Sequence, residues 1–366
     1  MRGANDQQTV LVVTSTIDEM IPEDHPIRRI KPVVDQVLMQ LRPKLNEMYS
    51  KRGRPSVAPE RLLKASVLMA LYSVRSERMF CEQLRFNLLF KWFLDLNVDD
   101  LGFDHSTFSK NRERLLKHRV AEAFFREVYE AARLQGYTSD EHFSVDGTLV
   151  QAWASMKSFR PIGEGGGDGN PWKGTGGRNP DVDFRGQARR NDTHRSTTDP
   201  EAMLARKGRG QPSVLGYHMH ALMENRNGLV TDVDLTRATG RAELDAGAEL
   251  LRRQQSRVGR TVAGDKGYDN RGFIGSCRDM GVTPHVAQNM KTPGGSAIDG
   301  RTTRHRGYQL SQRRRKRIEE IFGWVKTVGG GRKLRYIGAA RNRTWAFLTA
   351  AAYNLVRMAK LSAQAG

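Results

Sequence analysis

FSVDGTLVQA, residues 143–152, sets Phe143, Val145, Gly147 and Leu149 against Ser144, Asp146, Thr148 and Val150. That period of two is strand behaviour, and it puts one carboxylate, Asp146, in the middle of an otherwise core-type strand. Downstream, VLGYHMHALM (214–223) and GLVTDVDLT (228–236) flank ENRNG, whose Asn227-Gly228 pair is a hairpin signal. A helix follows in AELDAGAELLRRQQ, a strand in RTVAGD, a helix around FIGSCRDM, a strand in VTPHVAQ and a helix in RRRKRIEEIFGWVK. A last helix is expected from about Thr344 to Leu361. This order predicts an α/β fold: a mixed sheet, its first three strands antiparallel, covered by helices.

Upstream of the strand the pattern is helical. RLLKASVLMALYSV spaces its leucines at three- and four-residue steps, and the stretch from Cys81 to Phe93 repeats the idea. FDHSTFSKNRERL opens on cap-forming residues and presents Lys110, Arg112 and Arg114 on a helix that could enter a DNA groove; the plainer reading is a solvated basic face. Residues 1–50, with Pro22, Pro26, Pro32 and Pro43, read as an arm holding only a short amphipathic helix. Residues 156–212 contain 11 glycines and read as a flexible insertion. The expected division is therefore an arm at 1–50, a small all-α domain at 51–135 and an α/β domain at 136–366.

With 60 Lys and Arg against 40 Asp and Glu in 366 residues, the chain carries +20, which favours a polyanionic partner. Two distant cysteines, Cys81 and Cys277, argue against a disulfide framework or a cysteine zinc site and fit a reducing, cytoplasmic setting. The apolar runs 10–13 and 345–353 are far below the roughly 20 residues of a membrane span. No GxxxxGK[ST] motif occurs, so ATP is not expected as an energy source.

Three acids sit where chemistry could gather: Asp146 within the first strand, Asp265 ending the fourth, and Glu319 or Glu320 on the helix RRRKRIEEIFGWVK. Carboxylates from adjacent strands and a packed helix suit hard cations such as Mg²⁺ or Mn²⁺, and three suffice for a two-ion phosphoryl-transfer site. The helix period chooses between the glutamates. Ile318, Ile321, Phe322 and Val325 form the apolar stripe; Glu319 flanks it beside Arg315 and Lys326, whereas Glu320 points nearly opposite. The competing reading pairs Glu319 with Arg315 as an ordinary surface interaction. From Arg301 to Arg343 the chain holds 14 Lys and Arg against Glu319 and Glu320, a block of +12 that makes sense if phosphates arrive. Trp153, Trp324 and Trp345 are candidates for base stacking, with core packing the commoner use. His218 and His220 share a strand face without an obvious third zinc ligand, Asp269 is a reserve carboxylate, and Asp232 and Asp234 read as solvent-side positions.

DHPIRRI, RPSVAPERLLKASVLMALYSVRSERMFCEQLRFNLLFKWF, FDHSTFSKNRERL, FSVDGTLVQAWAS, VAGDKGYDN, RRKRIEEIFGWVKT and AAYNLVRMA, in that order, resemble a bacterial insertion-sequence transposase of the DDE type. The resemblance implies a ribonuclease-H-like catalytic core behind an N-terminal helical DNA-binding domain. It also implies Asp146, Asp265 and Glu319 as catalytic, metal-binding triad, with Mg²⁺ or Mn²⁺, two ions, as cofactor. The family's Tyr-Arg-Glu-Lys pattern is matched at Arg315, Glu319 and Lys326, while its tyrosine position holds Gln312. The implied activity is strand cleavage at terminal inverted repeats and strand transfer into target DNA. Arg315 and Lys326 would hold DNA phosphates, Lys110, Arg112 and Arg114 would read the ends, and a homodimer would pair two ends in the nucleoid. The alternatives are a stand-alone metal-dependent nuclease of the same fold and a catalytically inactive DNA-binding protein.

Overall fold

The computed structural model describes residues 15–50, 52, 56–162, 189–208, 210–254, 259–291 and 293–365. Seven helices come first: α1 (Ile17–Met20), α2 (Ile27–Glu47), α3 (Pro59–Leu71), α4 (Glu77–Leu84), α5 (Leu88–Phe93), α6 (Ser106–Lys117) and α7 (Val120–Leu134). Helix α2 corrects the reading of residues 1–50 as a mostly irregular arm, because it runs for 21 residues straight through Pro32 and Pro43. Each interior proline costs about 3 kcal/mol. Against this, Ile27, Ile30, Val34, Val37, Leu38, Leu41 and Leu45 are all buried, each worth roughly 1.5–3 kcal/mol, so packing outweighs the breakers.

The alternation at 143–152 becomes β1 (His142–Gln151), the strand on which the sheet is built. Three short strands follow, β2 (Phe159–Pro161), β3 (His194–Ser196) and β4 (Met203–Ala205), then β5 (Val214–Glu224) and β6 (Val230–Arg237). Strands β2 and β3 pair with each other, and β4 joins the main sheet beside β5. The flanks of the glycine-rich stretch are thus structured, where composition alone predicts a loop; residues 163–188 lie outside the described residues. The hairpin forms as expected, with Gly228 at φ 72°. Its turn is held from inside by the buried Glu224 carboxylate, which accepts N–H bonds from Arg226, Asn227 and Leu229 at 2.8–3.0 Å.

Helix α8 (Ala242–Arg253), β7 (Thr261–Gly264), α9 (Arg271–Asp279) and β8 (Thr283–Val286) complete the alternating part. Strand β1 runs antiparallel to β5 and parallel to β7, β7 runs parallel to β8, and β6 and β4 share the outer edge of β5. The order β6-β5-β1-β7-β8, antiparallel then parallel, is the ribonuclease-H-like arrangement. Helices α10 (Gly300–Arg304), α11 (Arg306–Arg314), α12 (Ile318–Thr327) and α13 (Ala339–Ala365) close the chain. A 3₁₀ turn at Arg315–Arg317 separates α11 from α12, so the basic helix read as continuous is two helices. Helix α13 starts five residues before its expected beginning at Thr344.

The two sheet faces have separate cores. Phe143 and Val145 pack with Leu250, Tyr268, Phe273 and Ile274 under α8 and α9. The other core joins β5 and β6 to α12, α13 and the N-terminal helices, with Phe125 of α7 against Phe347 of α13 at 5.8 Å. Asp232 and Asp234, expected to face solvent, are buried. Asp234 is paired with Arg253 at 2.8 Å and Arg343 at 2.7 Å, and Asp232 lies 3.9 Å from Arg253. Both arginines keep part of their water and Arg253 keeps Asp232 and Glu249, so Asp234→Ala is expected to lower unfolding free energy by about 1 kcal/mol in a chemical-denaturation titration.

Candidate active site

Strand β1 pairs with β5 along most of its length but with β7 only at His142, Phe143 and Ser144. Beyond Ser144 its β7-side edge opens into a notch. The parallel register matches 142 to 261, 143 to 262 and 144 to 263; carried two residues further, it puts Asp265 beside Asp146. Asp265 lies just past the last residue of β7, where its own carboxylate caps a 3₁₀ turn through the Gly267 N–H at 2.8 Å. An acid at the carboxyl end of one parallel strand thus meets an acid inside its neighbour, in the crevice where ligands of open α/β sheets bind.

Asp146 is half-buried and its carboxylate accepts one hydrogen bond, 2.8 Å from the N–H of Gly147. Burial pushes the Asp146 carboxyl up to about 7; the negative charges of Asp265 and Glu243 add to the rise, while the Gly147 N–H and Arg315 oppose it. On the same face of β1, Thr148 is buried and accepts a hydrogen bond from Lys326 Nζ of α12 at 2.5 Å. Burial and the nearby Lys207 hold the Lys326 ammonium below its ordinary value, and the charge of Asp146 pulls it back up.

Glu319 lies on α12 seven residues before Lys326, about two helical turns away on the same side, and four residues after Arg315. It is exposed and has no hydrogen-bond or ion-pair partner among the described residues, so the ordinary Arg315–Glu319 pair is not formed. Glu320 instead points outward to Arg317 and Arg357, at 3.8 and 3.5 Å. Gln312, at the position where the resemblance expects tyrosine, donates to the carbonyl of His285 at 2.5 Å and accepts from Arg315 Nε at 3.1 Å. It steers the arginine, an assignment that residue type alone did not suggest.

Among the described residues no group of three or more His, Cys, Asp or Glu is disposed to hold a metal ion. The structure therefore brings Asp146 and Asp265 together and leaves Glu319 outside that pair, exposed on α12. The donors still suit a hard dication: both aspartates offer only oxygen, and Asp146 is desolvated without a directly paired cation.

Two residues of the notch were not foreseen. Glu243, on the first turn of α8, enters from the opposite face, and a Cβ on Gly147 would sit 3.2 Å from Glu243 Oε1. Burial raises the Glu243 carboxyl, with Asp265 adding to the rise. The Tyr268 hydroxyl is buried with no hydrogen-bond partner among the described residues and lies in the field of Asp146, Glu243 and Asp265.

The remaining candidates take other places. Arg112 pairs with Glu77 and covers the Tyr336 ring at 4.7 Å, and Arg114 covers Tyr49 at 4.4 Å; of the basic residues singled out on α6, Lys110 alone is fully exposed. Asp269 holds the loop after β8 through the N–H groups of Asn289 and Ala297, at 2.6 and 2.9 Å, a structural use. His220 is buried and bonded to Thr236 at 2.8 Å; burial lowers both His218 and His220, the latter to about 3, so both are neutral at pH 7. Trp345 is buried and Trp324 packs on Tyr353, but Trp153 is exposed with Lys333 over its ring at 5.3 Å.

The sheet order and paired aspartates place the chain among carboxylate-bearing α/β proteins of the ribonuclease-H-like class. Residues 168–355 match the family model described as Transposase DDE domain, and residues 15–114 the model described as Transposase domain (DUF772). The chain belongs to the DDE-domain transposase family, enzymes that cleave and transfer DNA strands. The match includes Asp265 and Glu319 and begins after Asp146. Among solved structures, a piggyBac transposase synaptic complex with hairpin DNA is similar over 93% of this chain and 76% of that one, at 10% identity and TM-score 0.41. A pre-cleavage Mos1 transpososome matches over 87% and 81%, at 10% identity and TM-score 0.19. A Mos1 paired-end complex with left transposon end matches over 78% and 83%, at 12% identity and TM-score 0.18. No curated protein matches the sequence significantly. No helix among the described residues is long and apolar enough to cross a membrane.

Proposed function

We propose that the protein cuts DNA at the ends of its own element and joins the freed 3′ hydroxyl to target DNA, with Asp146, Asp265 and Glu319 as ligands for two Mg²⁺ or Mn²⁺ ions. The observation carrying this reading is the parallel register that sets Asp265 beside Asp146, under a helix whose cations act on the same carboxylate. When bound, such ions supply Lewis acidity and offset charge building on the phosphoryl group. The chain's own residues do the rest. Asp146 and Asp265 hold fixed oxygens at the notch, and Glu319, without a partner among the described residues, is available to turn towards them. Arg315, steered by Gln312, and Lys326, released from Thr148, grip the phosphates flanking the cut.

Chain charge brings the duplex in. The +12 block from Arg301 to Arg343 surrounds α12, and exposed Trp153 with Lys333 stands at the end of β1. Residues 51–135 are assigned to reading the element ends, with Lys110 as the contact on α6, and two copies of the chain to pairing those ends in the nucleoid. Affinity for an end-bearing duplex is expected to fall steeply with salt. Arg315→Met and Lys326→Met should each reduce the slope of log K against log salt by about 0.9, read by fluorescence anisotropy across a salt series. An unchanged slope in both variants would remove them from the phosphate-binding face.

A further inference from the structure

The notch contains a fourth acid that the triad does not use. We infer that Glu243 belongs to the same divalent-cation site, serving the ion from the opposite face of the sheet. The inference rests on the assignment of Asp146 and Asp265 to that ion. The geometry begins at Gly147, the residue after Asp146. Here the missing side chain leaves room for Glu243, whose Cγ would lie 3.1 Å and whose Oε1 would lie 3.2 Å from a Cβ on Gly147. The carboxylate is thus pressed on the β1 backbone where β7 has ended and the edge is open. The buried Tyr268 hydroxyl, without a hydrogen-bond partner among the described residues, lies in the field of Asp146, Asp265 and Glu243.

Two plainer uses of Glu243 fail on the contacts. An acid in a first helical turn is favoured by the helix dipole, a modest effect best met by pointing along the axis into solvent. Asp245 in the same turn does so, 3.8 Å from Arg241, whereas the half-exposed Glu243 leans over Gly147. An ion pair with His218 is the other possibility, but the closest approach is 3.9 Å and the imidazole is buried and neutral. A carboxylate that leans over Gly147 with no cation partner among the described residues, in the field of two others of the same charge, suits a cation that arrives from solution. A contact through one of the ion's waters suits Mg²⁺, which keeps several, and outer partners of this kind change affinity by 10–100-fold.

The test is Mn²⁺ binding by calorimetry at pH 7.5 on the metal-free full chain, without DNA. Glu243→Gln is expected to raise the Mn²⁺ Kd about tenfold while leaving the metal-free melting temperature unchanged or higher. Asp245→Asn, two residues away and more exposed, should leave the Kd unchanged, and Asp146→Asn should abolish binding. Wild-type affinity in Glu243→Gln with binding lost in Asp146→Asn overturns the fourth acid and spares the aspartate pair. Retained binding in Asp146→Asn overturns the pair itself. If Glu243→Gln does not fold, Glu243→Asp, which withdraws the carboxylate by one methylene, takes its place with the same expected direction. An unchanged Kd in that variant counts against the inference.

Discussion

Asp146→Asn is expected to lower strand cleavage of an end-bearing duplex at least about 10³-fold, equivalent to roughly 4 kcal/mol of transition-state stabilisation. Asparagine keeps the size and the hydrogen bond from Gly147 but removes the charge that holds a dication in place. End binding should change little, because phosphate contacts are assigned to Arg315, Lys326 and the surrounding basic block. The same variant makes a second prediction of opposite sign. The folded carboxyl titrates at about 7 against an ordinary 3.8, so the native state binds the extra proton between those values. The contribution of Asp146 to the stability of the metal-free wild type is therefore full below pH 4 and declines as pH rises towards 7. At 1.36 kcal/mol per pH unit the loss is at most about 4 kcal/mol. Asp146→Asn, which never ionises, should melt higher than wild type at pH 8 and equal to it at pH 4. A variant that cleaves within tenfold of wild type would remove Asp146 from the chemistry, and a lower melting point at pH 8 would show that its burial imposes no charge penalty.

The parts of this structure legible in the sequence are those set by local periodicity. The alternation of Phe143 to Gln151, the Asn227-Gly228 turn and the amphipathic period of α8 each depend on residues within one element, and each forms as read. What was misread depends on partners remote in the chain. Pro32 and Pro43 look like breakers until seven buried side chains of the same helix are weighed against them. Asp232 and Asp234 look solvated because Arg253 and Arg343, which neutralise them, lie up to 109 residues away in the case of Asp234 and Arg343.

The candidate site divides the same way. Asp146 and Asp265 stand out because a carboxylate inside or ending an apolar strand is costly and demands a reason. Helix period alone separates Glu319 from Glu320; in the structure both are exposed, Glu320 paired with Arg317 and Arg357 and Glu319 with no partner among the described residues. Glu243 carries no such signal, since an acid in a first helical turn is ordinary; only the empty Cβ position of Gly147 shows that it leans over β1.

Asn354→Ala is expected to destabilise the whole chain by about 3–5 kcal/mol. Strand β6 borders the sheet, and the main chain at Val230 would be left with an unpaired N–H and C=O on its outer side. Asn354 of α13 satisfies both: its Oδ1 accepts from Val230 N at 2.9 Å and its Nδ2 donates to Val230 O at 2.8 Å, with the side chain fully buried. Each orphaned buried group costs about 1–3 kcal/mol, and the vacated volume adds a cavity term. Asn354→Leu separates the two contributions, because it fills the space and still leaves Val230 unpaired, so it should lose nearly as much as alanine. The consequence reaches beyond β6, since α13 also packs against α2, α3 and α7 and joins the helical half to the sheet. Loosening that single helix should therefore shift one cooperative transition in guanidinium chloride to a lower midpoint with its slope retained. A loss under about 1 kcal/mol in Asn354→Leu would mean that Val230 finds other partners. A split into two transitions would mean that the helical half and the sheet hold together without α13.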